Sequence, residues 1–214
     1  MQARKLRAFE ARSADRLIFF SDAVVAIAIT LLALELPVPE GPGVAEFRSS
    51  VADDLDHYLA FLISFVVIAA GWNRHNGVFR FTERVDARLR TLNACWLMAI
   101  VLNPFATKLL TTEGDDVDTM PVRFGFYALL QVLGSAAVLA MERHMTTHRL
   151  RAADLPPGAQ PAATSAVLGM MLGFGLSIPL FFVTPYAWIL WIVLPVAAGR
   201  LAARNRPSPA SEDS

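Results

Sequence analysis

Residues 16–36, RLIFFSDAVVAIAITLLALEL, decide how this chain is read. The stretch opens on Arg16, passes Ser21 and Asp22, and then stays apolar as far as Glu35. A helix rises ~1.5 Å per residue, so ~20 such residues cross the ~30 Å hydrocarbon core of a bilayer. The length fits a membrane span, but the polar end is out of place in one. An ionised carboxylate costs ~2.5–3.5 kcal/mol at a span's centre and less toward the interface. Asp22 therefore needs a partner. Arg16 is six positions away, ~120° around a helix, which is neither i, i+3 nor i, i+4 geometry. The partner has to come from another helix.

The whole chain has the same character. It has 214 residues, 55% hydrophobic and only 18% charged, with a mean hydropathy of +0.45. A soluble domain carries more charge and less apolar mass. The net charge of zero gives no basic field for nucleic acid. A single Cys95 excludes an intramolecular disulfide and a thiol metal cluster. The segment MQARKLRAFEARSADR does not read as a secretory leader. The apolar run behind it is too long for an h-region, and no A-x-A-like site follows.

Hydropathy predicts an all-α polytopic membrane protein with six transmembrane helices, near 17–37, 57–80, 91–111, 121–141, 163–183 and 186–203. Residues 1–16 then form a basic N-terminus, 17–203 the membrane domain and 204–214 a polar, disordered tail. The segments between spans alternate in sign. Arg4, Lys5, Arg7, Arg12 and Arg16 precede the first, and acids from Glu40 to Asp56 follow it. Arg74 to Arg90, then Glu113 to Asp118, then Arg143 to Arg151 continue the alternation. The positive-inside bias puts both termini in the cytoplasm and makes six spans self-consistent. Pro104, Pro179 and Pro195 fall inside spans, where kinks are expected. LPPGAQP, 155–161, reads as a loop. Tyr186, Trp188 and Trp191 read as an interfacial aromatic belt. Gly169, Gly173 and Gly175 form a small-residue packing face.

The first helix has two sides. Val25, Ile29, Leu32 and Leu36 lie on one, suited to lipid or a neighbouring helix. Arg16, Phe20, Ala23, Ile27, Leu31 and Leu34 lie on the other, flanked by Ala26, Thr30 and Ala33. Small residues and threonine favour close helix approach. Periodicity alone reads this second side as a helix–helix interface before it reads it as a pore. For Asp22, the inner end of the second span offers Trp72, Asn73, Arg74 and His75. A buried polar clamp is the reading favoured for Arg16 and Asp22.

Other chemistries have weaker cues. Ser21 and Ser64 lack a base in register, so catalysis is not expected. His144 and His148 stand at i, i+4, but no third metal ligand lies at a matching depth. An ion- or proton-coupled secondary transporter is the alternative, yet Asp22, Glu35 and His75 all sit toward span ends rather than the midplane.

Arg16-x-x-x-Phe20-Ser21-Asp22 resembles the R-x-x-x-F-S-D signature of the TMEM175 family of potassium channels, and in particular its short one-repeat bacterial and archaeal members. AVVAIAITLLALELPVP continues the likeness, as do Trp72-x-x-His75 and the NPFAT that holds Pro104, Phe105 and Thr107. The resemblance covers about residues 12–112; the later spans match in hydropathy only. It implies a homotetramer in a cell (inner) membrane, conducting potassium and other monovalent cations, protons among them, with no cofactor. It implies a pore lined by the first helix and constricted at Ile27, Leu31 and Leu34, with the Thr30 hydroxyl adjacent. It also implies a structural network of Arg16, Phe20, Ser21, Asp22, Trp72 and His75. No TVGYG-type loop is present, so the constriction would serve as both gate and filter.

Overall fold

The computed structural model describes residues 2–112, 119–151 and 162–204. Among them are seven α-helices: α1 Gln2–Ala33, α2 Val44–Asp53, α3 Leu55–Phe79, α4 Ala87–Thr111, α5 Met120–Thr147, α6 Ala162–Phe181 and α7 Leu190–Arg204. A 3-10 turn over Pro185–Ile189 leads into α7. The only extended pairing among these residues is an isolated bridge between Thr82 and Arg151. Four segments are long and apolar enough to cross a membrane: Arg12–Ala33, Leu55–Phe79, Ala87–Thr111 and Met120–Thr147. Shorter apolar helices cover Val167–Phe181 and Pro185–Leu201.

Local chemistry sets several boundaries beyond the hydropathic ones. α1 begins far upstream of the apolar run, because residues 2–15 are mostly good helix formers with neither Gly nor Pro. It crosses the expected 16/17 domain boundary without a break. Asp86 caps α4, its carboxylate accepting from the Leu89 amide at 2.7 Å. α5 runs to Thr147 and carries His144 and Met145 into the interior. The acidic connection after α1 holds a short helix, α2, which buries none of its residues. The 113–118 connection, the 155–161 segment and the tail beyond 204 lie outside the described residues.

α1 packs on α3 and α4, α5 packs on α4 and α6, and α6 packs on α7. Val25, Ala28 and Leu32 of α1 are buried against a core that includes Ile68, Phe79, Trp96 and Met141. A second core gathers Phe124, Tyr127, Phe174 and Trp191. Trp191 is thus not part of an interfacial belt. It stacks on Phe124 and Tyr127, and its Nε1 donates to Ser177 Oγ at 2.8 Å. Tyr186 is exposed, and Trp188 is partly so. The glycine face of α6 packs within the chain. A Cβ on Gly173 would come 2.7 Å from the Leu190 carbonyl oxygen, and one on Gly169 would come 2.7 Å from Ala198 Cβ. Gly175 faces Val132 more loosely.

Two contacts fix the direction of α1. Arg90, at the start of α4, donates to Ser13 at 2.7 Å. Lys108, near the end of α4, pairs with Glu35 at 2.7 Å. The two helices therefore run parallel, with α3 returning between them.

Candidate functional site

The polar end of α1 is held by two groups of hydrogen bonds. Trp72 of α3 donates from Nε1 to Asp22 Oδ1 at 2.8 Å. An indole offers one N–H and no acceptor, so this contact has one polarity only. The second group is a chain. Asn93 Nδ2 donates to Ser21 Oγ at 2.9 Å, which turns Asn93 Oδ1 toward His75 Nε2 at 2.6 Å. The proton on that imidazole is therefore assigned to Nε2. Ser21 Oγ in turn donates to the Leu17 carbonyl at 2.9 Å. Ser21, His75 and Asn93 are all fully buried. The His75 ring lies between Trp96 and Phe79, with centroids at 4.1 and 4.5 Å.

Four of the residues marked in the sequence, Ser21, Asp22, Trp72 and His75, are thus brought to one level of α1 and α3. Arg16 and Phe20 are not joined to them. Both are exposed, and Arg16 makes no hydrogen bond or ion pair among the described residues. Asn93 joins α1 to His75 and was not singled out from sequence. A lone asparagine within an apolar run carries no periodic signal; only the parallel packing of α1 and α4 gives it a role.

Beyond this polar end, the Ile27, Leu31 and Leu34 side of α1 is uncovered. Their exposures are 59%, 46% and 78%, while Val25 and Leu32 on the other side are 3% and 1%. Ala23, Ala26, Thr30 and Ala33 are exposed on the same broad face. Thr30 Oγ1 donates to the Ile27 carbonyl at 2.8 Å, which leaves its lone pairs directed outward as acceptors. The face ends at Glu35, which is neutralised by Lys108.

A second polar set lies inside the bundle. The Ser64 and Tyr127 hydroxyls are 3.0 Å apart, and Thr107 Oγ1 is 2.8 Å from Ser64. Gln131 donates to Asn103 Oδ1 at 2.9 Å. These groups satisfy one another, as buried polar groups in a membrane bundle must. At the basic end, His144 Nε2 contacts Asp86 Oδ2 at 2.7 Å, and its ring lies against that of His148 at a tilt, centroids 4.4 Å apart. No cluster of three metal-ligating side chains occurs among the described residues.

The family profile described as the endosomal/lysosomal potassium channel TMEM175 matches residues 16–104, from Arg16 of the first motif to Pro104 of the last. A protein of Streptomyces collinus named as a potassium channel is 33% identical over 167 residues, 77% of this chain and 81% of its own length. A Chamaesiphon minutus protein named as a potassium channel is 40% identical over 103 residues, 51% of its length. The mouse endosomal/lysosomal proton channel TMEM175 is 29% identical over 105 residues, 21% of its length. The crystal structure of a lysosomal potassium-selective channel TMEM175 homolog from Chamaesiphon minutus superposes with a TM-score of 0.68 at 28% identity. It covers 92% of this chain and all of that one.

Proposed function

Because this chain belongs to the TMEM175 family, we propose that it is a cation channel with a modest preference for potassium, formed by four copies around the exposed face of α1. The observation that carries the reading is that face. A subunit that covers Val25 and Leu32 leaves Ile27, Leu31 and Leu34 bare directly above an anchored polar end. Four such faces would form a ring of aliphatic side chains. A ring of this kind gates by dewetting, and it makes each ion shed part of its water without replacement ligands. Potassium holds its water less tightly than sodium and loses less. The Thr30 oxygens would supply the polar atoms closest to the ring.

The remaining parts follow. Six helices cross a cell's inner membrane, with α6 and α7 as the short last pair and both termini in the cytoplasm, as the arginine distribution requires. The domain is 17–203, with basic and polar segments on either side. The polar set at Ser21, Asp22, Trp72, His75 and Asn93 holds α1 in place and does not touch the ion. A coupled transporter is the weaker reading, since Asp22 already holds the Trp72 N–H and lies near an end of the span.

The test is current across a planar bilayer holding the purified protein, potassium on one side and sodium on the other. A reversal potential displaced toward the potassium equilibrium value is expected. Absence of current, together with vesicle flux that requires a proton gradient, would favour the transporter.

A further inference from the structure

We propose that the arginine pocket at the N-terminal end of the α1–α4 seam is a binding site for a phosphate group. It is lined by Arg12, Ser13, Arg16, Leu17, Phe20 and Arg90, and its volume is about 620 Å³, a size typical of small-molecule sites. Three guanidinium groups share one concavity. The ion pairs among the described residues join His57 to Asp54, Lys108 to Glu35 and His144 to Asp86, so none of the three arginines meets a carboxylate. Arg90 has only the neutral Ser13 hydroxyl. Asp15 is exposed on α1, one position from Arg16 and i, i+3 from Arg12, and it forms no ion pair with either among the described residues.

Other arginines nearby have protein partners. Arg84 donates to the Arg149 carbonyl, and Arg80 lies over the Phe81 ring. The pocket's lining thus carries three positive charges and no carboxylate. The planar fork of a guanidinium matches a phosphate's oxygens, and several forks converging from two helices can hold one phosphate from different sides. The walls are not all polar. Phe20 is 60% exposed and Leu17 half-buried, at the level where α1 passes from charged to apolar sequence. A phosphate there could belong to an anionic lipid headgroup, with glycerol against Phe20, or to a soluble phosphate compound. Basic pockets between membrane helices on the cytoplasmic side are suited to such groups. The source of the phosphate and any effect on conduction rest on the pore reading, because Arg16 and Phe20 lie on the same side of α1 as Ile27 and Leu31: a pocket facing a pore axis admits a soluble phosphate, and a lipid headgroup needs it to face the membrane.

The experiment measures thermal unfolding of the full chain in maltoside micelles free of phospholipid, followed by tryptophan fluorescence, with ionic strength held constant by chloride. One arm adds phosphatidylglycerol; the other adds inorganic phosphate. A saturable rise in melting temperature is expected. Stabilisation by phosphatidylglycerol alone assigns the phosphate to a lipid, and stabilisation by inorganic phosphate in neutral micelles assigns it to a soluble compound. Removing two charge-assisted contacts in R16Q/R90Q should shift the midpoint of the titration by about tenfold or more. R88Q, an exposed α4 arginine outside the pocket, should leave it unchanged. R12Q, which spares Arg16, gives the same direction of shift if R16Q/R90Q fails to fold. A flat response to both probes, or equal titrations of the pocket variants and R88Q, overturns the proposal.

Discussion

At the residue scale, Asp22 and Leu31 stand nine positions apart on one helix and have opposite duties. Asp22 accepts the single N–H of Trp72. Asp22→Ala leaves that donor without its partner in a largely apolar setting. The expected cost is about 1–2 kcal/mol, the lower part of the range because the contact is partly open. Melting temperature and the yield of the proposed tetramer should fall while the potassium-to-sodium reversal potential of surviving channels stays put. Normal assembly with lost ion preference would place Asp22 in the conduction path instead. Leu31→Ala should do the reverse. It removes bulk from the proposed constriction, and ~1.4 kcal/mol less desolvation barrier corresponds to about tenfold more flux. Single-channel conductance in an assembled mutant measures this, and an unchanged value with unchanged permeability ratios would remove Leu31 from the ring. Sequence exposed Asp22's need for a donor, and Trp72 was among the candidates because it lies at the inner end of the second span. Asn93 was hidden because its partners come from two other helices, and no local pattern encodes that meeting.

At the element scale, caps and connections decided what hydropathy could not. α4 starts where Asp86 can cap it, not where its apolar run begins. Hydropathy also passed over α2, whose Val44 and Phe47 are too few to register against surrounding acids. The glycine spacing of α6 was legible as a packing face, but the partner, α7, was not, since small residues specify closeness and not identity. Asp86 supplies a prediction with a definite sign. Partial burial pushes its carboxyl up. The Leu89 amide, the His144 hydrogen bond and the charges of His144 and His148 outweigh this and hold it below its ordinary value. A carboxyl depressed on folding stabilises the folded state fully above its unfolded value, about 3.9. That stability is lost as pH falls through the lower, folded value. Asp86→Ala should cost about 1 kcal/mol at neutral pH, the usual worth of a cap, with solvent screening keeping the histidine contribution small. The gap between wild type and variant should narrow below about pH 4. A gap that widens below about pH 4, where the carboxyl itself takes up a proton, would show that the carboxylate is not the stabilising form.

At the scale of the whole molecule, exposure alone does not distinguish a pore from lipid. Leu62 and Val66 of α3 are 55% exposed, much like Ile27. What separates the α1 face is its company: small residues, an acceptor-bearing Thr30, and polar anchoring at one end. A lipid-facing side needs none of these. Hydropathy and charge alternation made the helical class readable because bilayer thickness and arginine bias act on each segment separately. The proposed assembly would act between copies, so within one chain its only trace is that uncovered face. The cross-linking consequence is specific. With Cys95 replaced by serine, a cysteine at Leu31 would lie near its symmetry mates around a narrow axis, and one at Leu62 would face lipid. A short bis-maleimide should convert Leu31→Cys into covalent dimers, since each chain offers one thiol and each thiol takes one maleimide. Leu62→Cys should remain a single chain under the same treatment. Efficient linkage at Leu62 with none at Leu31 would mean that α3 lies at the symmetry axis. The aliphatic face of α1 would then belong to the membrane, and the conduction path would have to be sought elsewhere in the bundle.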